Sequence, residues 1–307
     1  MNSVVCITSA GILWGIIAIF ISLLKDLGFN SLQCVAIRVF FSALCLVIYL
    51  SIFDRSKLKI EFKDIIYFLG TGILSIIFFN YCYFEAIEVI GGVAIPALLL
   101  YMAPIFVMIM SFFFFHEKLN KRKVLALFIT IIGLCFITGA FSQEVILSGK
   151  AILLGLGAGF GYALYSIFSK MIIDKYEAVT IITYTFVVAT IGSIPLSGII
   201  YHVNELLNLQ AIIATIGLAI FCTVMPFLLY TTGLKKLEAG KASILATIEP
   251  IVSAIVGLIF FQEVFDLTKI LGMICIISAI IILNLNLLTY SPCLNAGDSW
   301  IQTILAY

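Results

Sequence analysis

The sequence predicts an all-α integral membrane protein of ten transmembrane helices, arranged as two inverted five-helix repeats. Three observations predict it. The first is composition: of 307 residues, 63% are hydrophobic and 11% charged, where soluble domains carry about a quarter charged and about half apolar residues. Such a chain has too little polar surface to cover a water-soluble globule, and lipid is its natural solvent. The second is a repeat at a fixed offset. The third is an alternation of cationic and cation-poor loops.

Apolar segments lie near 4–24, 32–52, 65–86, 92–115, 124–141, 150–171, 178–200, 210–232, 241–261 and 268–288. Each is long enough, at roughly 20 residues, to cross a bilayer. Backbone groups in lipid must be satisfied within their own segment, which makes helix the cheap solution. The short alternating segments of a membrane β-barrel are missing. The run Val4–Leu24 lacks a preceding basic stretch and has the length of a full span, so it reads as the first helix rather than a leader. Residues 289–307 contain Pro292, Asn295, Gly297 and Asp298 and are too polar to span; they read as a short tail.

The repeat is clearest between Pro104-Ile-Phe-Val-Met-Ile-Met-Ser-Phe-Phe-Phe-Phe-His-Glu117 and Pro250-Ile-Val-Ser-Ala-Ile-Val-Gly-Leu-Ile-Phe-Phe-Gln-Glu263. In each, a proline enters an apolar run and a glutamate leaves it. The offset of 146 residues also pairs Trp14-Gly15 with Phe160-Gly161, Phe40 with Phe186, Leu99 with Leu245, and Lys123-Val124-Leu125 with Lys269-Ile270-Leu271. A constant offset argues for one duplicated unit, giving a first repeat over 1–143 and a second over 148–288. Five helices per unit is an odd number, so the second copy enters the membrane upside down. Antiparallel repeats are a recurring plan of secondary transporters, with the site where the repeats meet.

The cations agree. Even-numbered loops hold Arg55, Lys57, Lys59 and Lys63; Lys118, Lys121, Arg122 and Lys123; Lys170 and Lys175; Lys235, Lys236 and Lys241. Odd-numbered loops hold only Lys25, Lys150 and Lys269. The excess of Lys and Arg on the cytoplasmic side expected of membrane proteins puts both termini in the cytoplasm of a multi-pass cell-membrane protein.

Other classes find little support. A net charge of +1 without a basic cluster gives no sign of nucleic acid. Seven of the eight cysteines fall in apolar runs, Cys293 alone standing in a polar setting, and no C-x-x-C occurs. His116 and His202 have no neighbours with which to build a zinc site. No metal, cofactor or catalytic residue is therefore assigned. Gly155, Gly157, Gly159 and Gly161 are not a dinucleotide loop, since no strand precedes them. As two small-xxx-small pairs they predict close helix contact.

With the Trp14-Gly15 start, Arg38 early in the second helix, Pro104…Glu117, Glu249-Pro250…Glu263, and Gly133 and Gly272 in helices five and ten, the sequence resembles the drug/metabolite transporter superfamily in its EamA-type ten-helix branch. The resemblance covers roughly residues 4–288 and implies a secondary transporter or exporter of amino acids or other metabolites. One departure stands out: Ala103 occupies the place of Glu249 in the first repeat, so the halves are chemically unequal.

Ionisable groups inside spans are expensive and usually functional. Glu249 lies about eight residues into helix nine, too deep for its short side chain to reach the surface. Next to Pro250, it reads as a cavity residue that binds a proton or a substrate amino group; Pro250 would also free the carbonyl of Ala246 for a ligand. Arg38 either snorkels to the interface or faces the bundle. Glu85 reads as a loop-edge residue. Glu117 and Glu263 read as helix-end residues that cap neighbouring helices or pair with Lys121 and Lys269. Tyrosine lines pockets with an apolar ring and one hydroxyl. The expected substrate-binding set is Trp14, Tyr81, Tyr101, Tyr230 and Glu249, in a cavity lined by helices three, four, eight and nine with help from one and six. Asn80, Tyr83, Tyr162 and Tyr165 lie nearby.

The reading is a secondary transporter, in the export direction, of a small metabolite such as an amino acid, working by alternating access and without enzymatic activity. Its partners are that solute and the bilayer. Proton coupling, import versus export, substrate identity and the choice between monomer and dimer stay open. The alternative class is a membrane-embedded lipid-modifying enzyme, which would need convergent His, Asp, Cys or Ser near one face; His116-Glu117 is the only adjacent pair, and Gln262-Glu263 drops the histidine. A passive channel lacks rings of pore-lining charge.

Overall fold

The computed structural model describes residues 2–139, 148–264 and 266–289. Among these the chain is helical throughout, with no strand. Among the described residues nine segments are long and apolar enough to cross a membrane: α1 (Ser3–Asp26), α2 (Ser31–Phe53), α3 (Phe62–Ile90), α4 (Ala94–Phe115), α6 (Gly149–Ile172), α7 (Ala178–Ser197), α8 (Leu209–Leu234), α9 (Ala239–Phe261) and the Leu267–Asn284 part of α10 (Leu267–Thr289). The chain is a multi-pass membrane protein. The expected segment 124–141 is helix α5 (Lys121–Thr138), whose opening Lys121, Arg122 and Lys123 keep it out of that apolar set. Residues 140–147 and all but the first residue of the expected tail lie outside the described residues.

Local chemistry sets the helix ends. Asn30 caps α2 and Gln33 returns the favour to the Asn30 amide, a reciprocal capping box. Asn120 accepts from the Lys123 amide to start α5, and Ser148 from the Ala151 amide to start α6. In α4 and α9 the axis breaks at Tyr101-Met102 and at Thr247-Ile248, and the helix restarts with Pro104 or Pro250 in its first turn. Proline is tolerated there because the amide it lacks has no intrahelical acceptor. That corrects one expectation. The Ala246 carbonyl is not offered to a ligand; it lies against Gly11 of α1.

Most helices pack in pairs, α1 on α8, α2 on α7, α3 on α6 and α5 on α10; α4 packs chiefly on α6, α9 chiefly on α1, and α4 and α9 touch more lightly. Glycine sets the closest approaches. A Cβ on Gly133 would lie 2.8 Å from the Gly272 carbonyl oxygen, and one on Gly272 would lie 2.6 Å from the Gly133 oxygen. The residues at the same offset of 146, Ala279 and Ala126, are both fully buried. On α6 the two glycine pairs serve different neighbours. Gly155 and Gly159 face Leu99 of α4, while Gly157 and Gly161 face Cys82 and Phe79 of α3. The expected close contact is thus two contacts on two faces.

Polar ties hold the α2–α3 connection. Lys57 pairs with Glu177, Thr180 donates to the Lys57 carbonyl, and Lys175 pairs with Glu61 and Asp64. Tyr176 donates to Asp64 and accepts from the Glu61 amide. The Asp64 and Glu61 carboxylates, bound directly to its ammonium, push Lys175 up from the ordinary lysine value.

Candidate functional site

A cavity of about 500 Å³ runs into the bundle between the helix pairs. Its mouth is marked by exposed Val93 and by Glu263 and Lys269; its floor lies at Ser166 and Tyr230. Every paired layer contributes to the wall, including α2 and α5, which the expected lining omitted.

Glu249 is placed at the start of the restarted half of α9, beside Pro250, and faces this cavity. Tyr101 sits at the matching break of α4 and donates its hydroxyl to Glu249 Oε1 at 3.3 Å. Tyr162 of α6 donates to Oε2 at 3.3 Å. Both bonds are long against a usual O–H···O distance of about 2.7 Å. A carboxylate offers about four acceptor positions, so two stretched bonds leave Glu249 with capacity for another donor.

Arg38 lines the same cavity from α2, one turn from Cys34. Only 5% of its surface is exposed, and its buried Nε has no hydrogen-bond partner. It does not snorkel. Among the described residues neither Arg38 nor Glu249 belongs to an ion pair. The pocket therefore carries one deep cation and one deep anion, each incompletely satisfied.

The floor is aromatic and closed by hydroxyl pairs. Trp14 meets Phe227 edge-on at 5.2 Å, Tyr230 at 5.4 Å and Tyr162 at 6.2 Å. Tyr230 bonds Ser166 at 2.7 Å, and Tyr165 bonds Thr231 at 2.6 Å. With their hydroxyls satisfied by each other, these rings offer a solute mainly apolar faces.

Of the expected set, Trp14, Tyr101, Tyr230 and Glu249 share this cavity and Tyr81 does not. Tyr81 is 48% exposed on the outside of α3. Successive helix residues are about 100° apart, so Asn80 and Tyr83, three apart, share the inner face and Tyr81 turns away from it. Sequence reasoning had all three residues but not the phase. It left out Phe227, Ser253 and Phe79, whose signal is only helical spacing from the polar liners.

Comparison with known proteins gives a consistent picture. The EamA-like transporter family matches residues 1–139 and 149–285. A protein of Archaeoglobus fulgidus described as an uncharacterized transporter is 27% identical over 280 residues, covering 90% of this chain and 94% of that one. The Bacillus subtilis protein YetK, also described as an uncharacterized transporter, is 23% identical over 256 residues, covering 80% and 76%. One crystal structure superposes with a TM-score of 0.75 at 15% identity, covering 92% of this chain and 96% of the other; at that identity the likeness is one of fold.

Proposed function

The chain belongs to the EamA-like transporter family, and from that premise we propose a secondary transporter that exports a small zwitterionic metabolite, an amino acid or a close relative, across the cell membrane by alternating access. The supporting observation is the pairing of Glu249 and Arg38 on one cavity without an ion pair between them. The substrate ammonium takes the free acceptor positions of Glu249; its carboxylate takes the Arg38 guanidinium, whose planar fork suits that geometry. The side chain rests on Trp14 and Phe227.

The coupling follows from the cost of a naked charge. A buried carboxylate loses hydration and needs a compensating cation. Glu249 carries the substrate ammonium on one leg of the cycle and a proton on the other, which makes the transport an exchange of solute for proton.

The same reading covers the architecture. The pairing of α1 with α8 and α3 with α6, of α4 with α6 and α9 with α1, and of α2 and α5 with the helices five places on, is what two inverted five-helix repeats would produce. With both termini in the cytoplasm, the mouth at Glu263 and Lys269 faces outward. An enzyme reading finds less support: Cys34, Ser75, Ser166 and Ser253 line the cavity with Glu249 and Arg38, but the lining holds no histidine and no second deep carboxylate.

Proteoliposomes containing the purified chain test the proposal. Uptake is measured for neutral amino acids, the corresponding amines lacking the carboxylate, and the corresponding acids lacking the amine, with and without a proton gradient. The zwitterions move fastest and respond to the gradient. Equal rates for all three classes, or none above protein-free liposomes, would refute it.

A further inference from the structure

The two glutamates that end the repeated segments, Glu117 and Glu263, sit on the same local backbone and differ only in where the carboxylate goes. Each follows a residue in the left-handed region, His116 at φ 54° and Gln262 at φ 53°. In each, the glutamate amide closes back on the carbonyl of the residue six positions earlier, Ser111 or Gly257. In each, the helix that follows is capped by an acceptor three residues on, Asn120 to the Lys123 amide at 2.8 Å and Asp266 to the Lys269 amide at 3.0 Å.

The carboxylates part company beyond that point. Glu117 is buried and caps the start of α9, accepting from the Ala239 amide at 2.6 Å and the Gly240 amide at 3.1 Å. Around it Lys123 pairs with Glu238, and Lys170 donates to the carbonyls of Leu234 and Leu237 at 2.7 Å. These bonds tie together the ends of α4, α6 and α8 and the starts of α5 and α9. Glu263 is 54% exposed, folds over its own Gly257 and pairs with Lys269 at 3.0 Å. Shifting Ala239 and Gly240 by the offset of 146 gives Val93 and Ala94, the start of α4. Those residues line the same cavity as Glu263, and no side chain caps the start of α4.

We propose that Glu117 and Glu263 are alternating gate latches. When the mouth closes, Glu263 leaves Lys269 and caps the amides of Val93 and Ala94, as Glu117 now caps those of Ala239 and Gly240. When the opposite end opens, Glu117 releases its amides. Each state of the transporter holds one capped span start and one free one. The exchange is nearly balanced, because one charge-assisted cap is traded for another of the same kind. The missing counterpart of Glu238, which is Gly92 at the mouth, leaves Lys269 free to hold Glu263 in the open state.

This proposal rests on the alternating-access reading, and its test separates the two. Single cysteines are placed at Val93 and at Ser243, and modification by a membrane-impermeant maleimide is measured from each side of the membrane by the mass of the corresponding peptide. Glu263→Gln removes the cap that closes the mouth, so labelling at Val93→Cys rises and labelling at Ser243→Cys falls. Glu117→Gln does the reverse. The shift in the ratio of the two is roughly tenfold, the scale of one charged cap. A Val93→Cys/Glu263→Cys pair cross-links on oxidation in the closed-mouth state, and Glu117→Gln raises the yield. If both glutamine variants leave the labelling ratio at the parent level and Glu117→Gln leaves the cross-link unchanged while solute flux persists, the latch is refuted and the transport reading stands. If the ratio shifts as stated but no solute moves in proteoliposomes, the latch stands and the transport reading falls.

Discussion

Tyr162 and Glu249, 87 residues apart in the chain, meet with the tyrosine hydroxyl 3.3 Å from carboxylate Oε2. The contact joins α6 to α9 at the level where α4 and α9 are both broken, and Tyr101 completes it from α4. Three helices thus converge on one carboxylate.

Tyr162→Phe removes the hydroxyl and keeps the ring, whose edge contacts with Trp14 and Phe79 hold the wall in place. The bond is long, so its loss is expected to slow solute exchange by about two- to tenfold, the net worth of one hydrogen bond. The melting temperature should stay near that of the parent. A hundredfold loss with an unchanged fold would mean that Tyr162 touches the solute directly.

Gly272→Ala tests the α5–α10 contact. The new Cβ meets the Gly133 oxygen at 2.6 Å and the Ile137 amide nitrogen at 2.9 Å, both backbone atoms that cannot rotate away. A loss of about 1–3 kcal/mol is expected from such overpacking, read as a lower melting temperature in detergent. Gly149→Ala is the control, because nothing lies within 4 Å of its Cβ. Equal behaviour of the two variants would refute the close-packing argument.

The Glu61–Lys175 pair gives a pH signature outside the membrane-spanning segments. Lys175, ahead of Lys63, holds the Glu61 carboxyl below its usual value. A depressed carboxyl contributes stability above its unfolded value, and loses it as pH falls through the folded one. Glu61→Gln is therefore expected to melt slightly lower than the parent at neutral pH. The gap should narrow as pH falls below the ordinary glutamate value and close only once the folded carboxyl, held lower still, is protonated. A gap that persists in acid would assign the effect to packing.

Much of this was legible in the sequence. The segments around 4–24, 150–171 and 210–232 appear as α1, α6 and α8 within a few residues, because lipid leaves the backbone few alternatives to helix. Glu249 was legible as a cavity residue by its depth, its place beside Pro250 and the Ala103 asymmetry, and Glu117 and Glu263 as cap or pair. Helical phase was harder. Tyr81 and Tyr83 lie in an apolar segment with hydrophobic residues all round, so the pattern carries little information about which face turns inward. The fate of Arg38 was equally hidden, since its depth suits snorkelling as well as burial, and only the packing of α2 on α7 decides it.

Arg38 offers the sharpest separation of function from fold. A buried guanidinium with an unpartnered Nε costs stability, and well-packed apolar replacements of buried charges are often neutral or stabilising. Arg38→Met fills a similar volume without the charge. If Arg38 exists to bind a carboxylate, Arg38→Met should melt at or above the parent temperature while zwitterion transport falls by roughly tenfold or more, the scale of one charge-assisted contact. Transport of the amine lacking the carboxylate should change little in the same variant. Glu249→Gln should show the opposite selectivity: the zwitterion and the amine both fail, the acid lacking the amine is spared, and the response to a proton gradient is lost. Should Arg38→Met instead unfold the chain, Arg38→Lys keeps the charge without the planar fork and decides the matter by the same solute comparison. The assignment is refuted if every folded Arg38 variant handles zwitterion and amine in the parent ratio, for then the guanidinium serves the packing of α2 and not the solute.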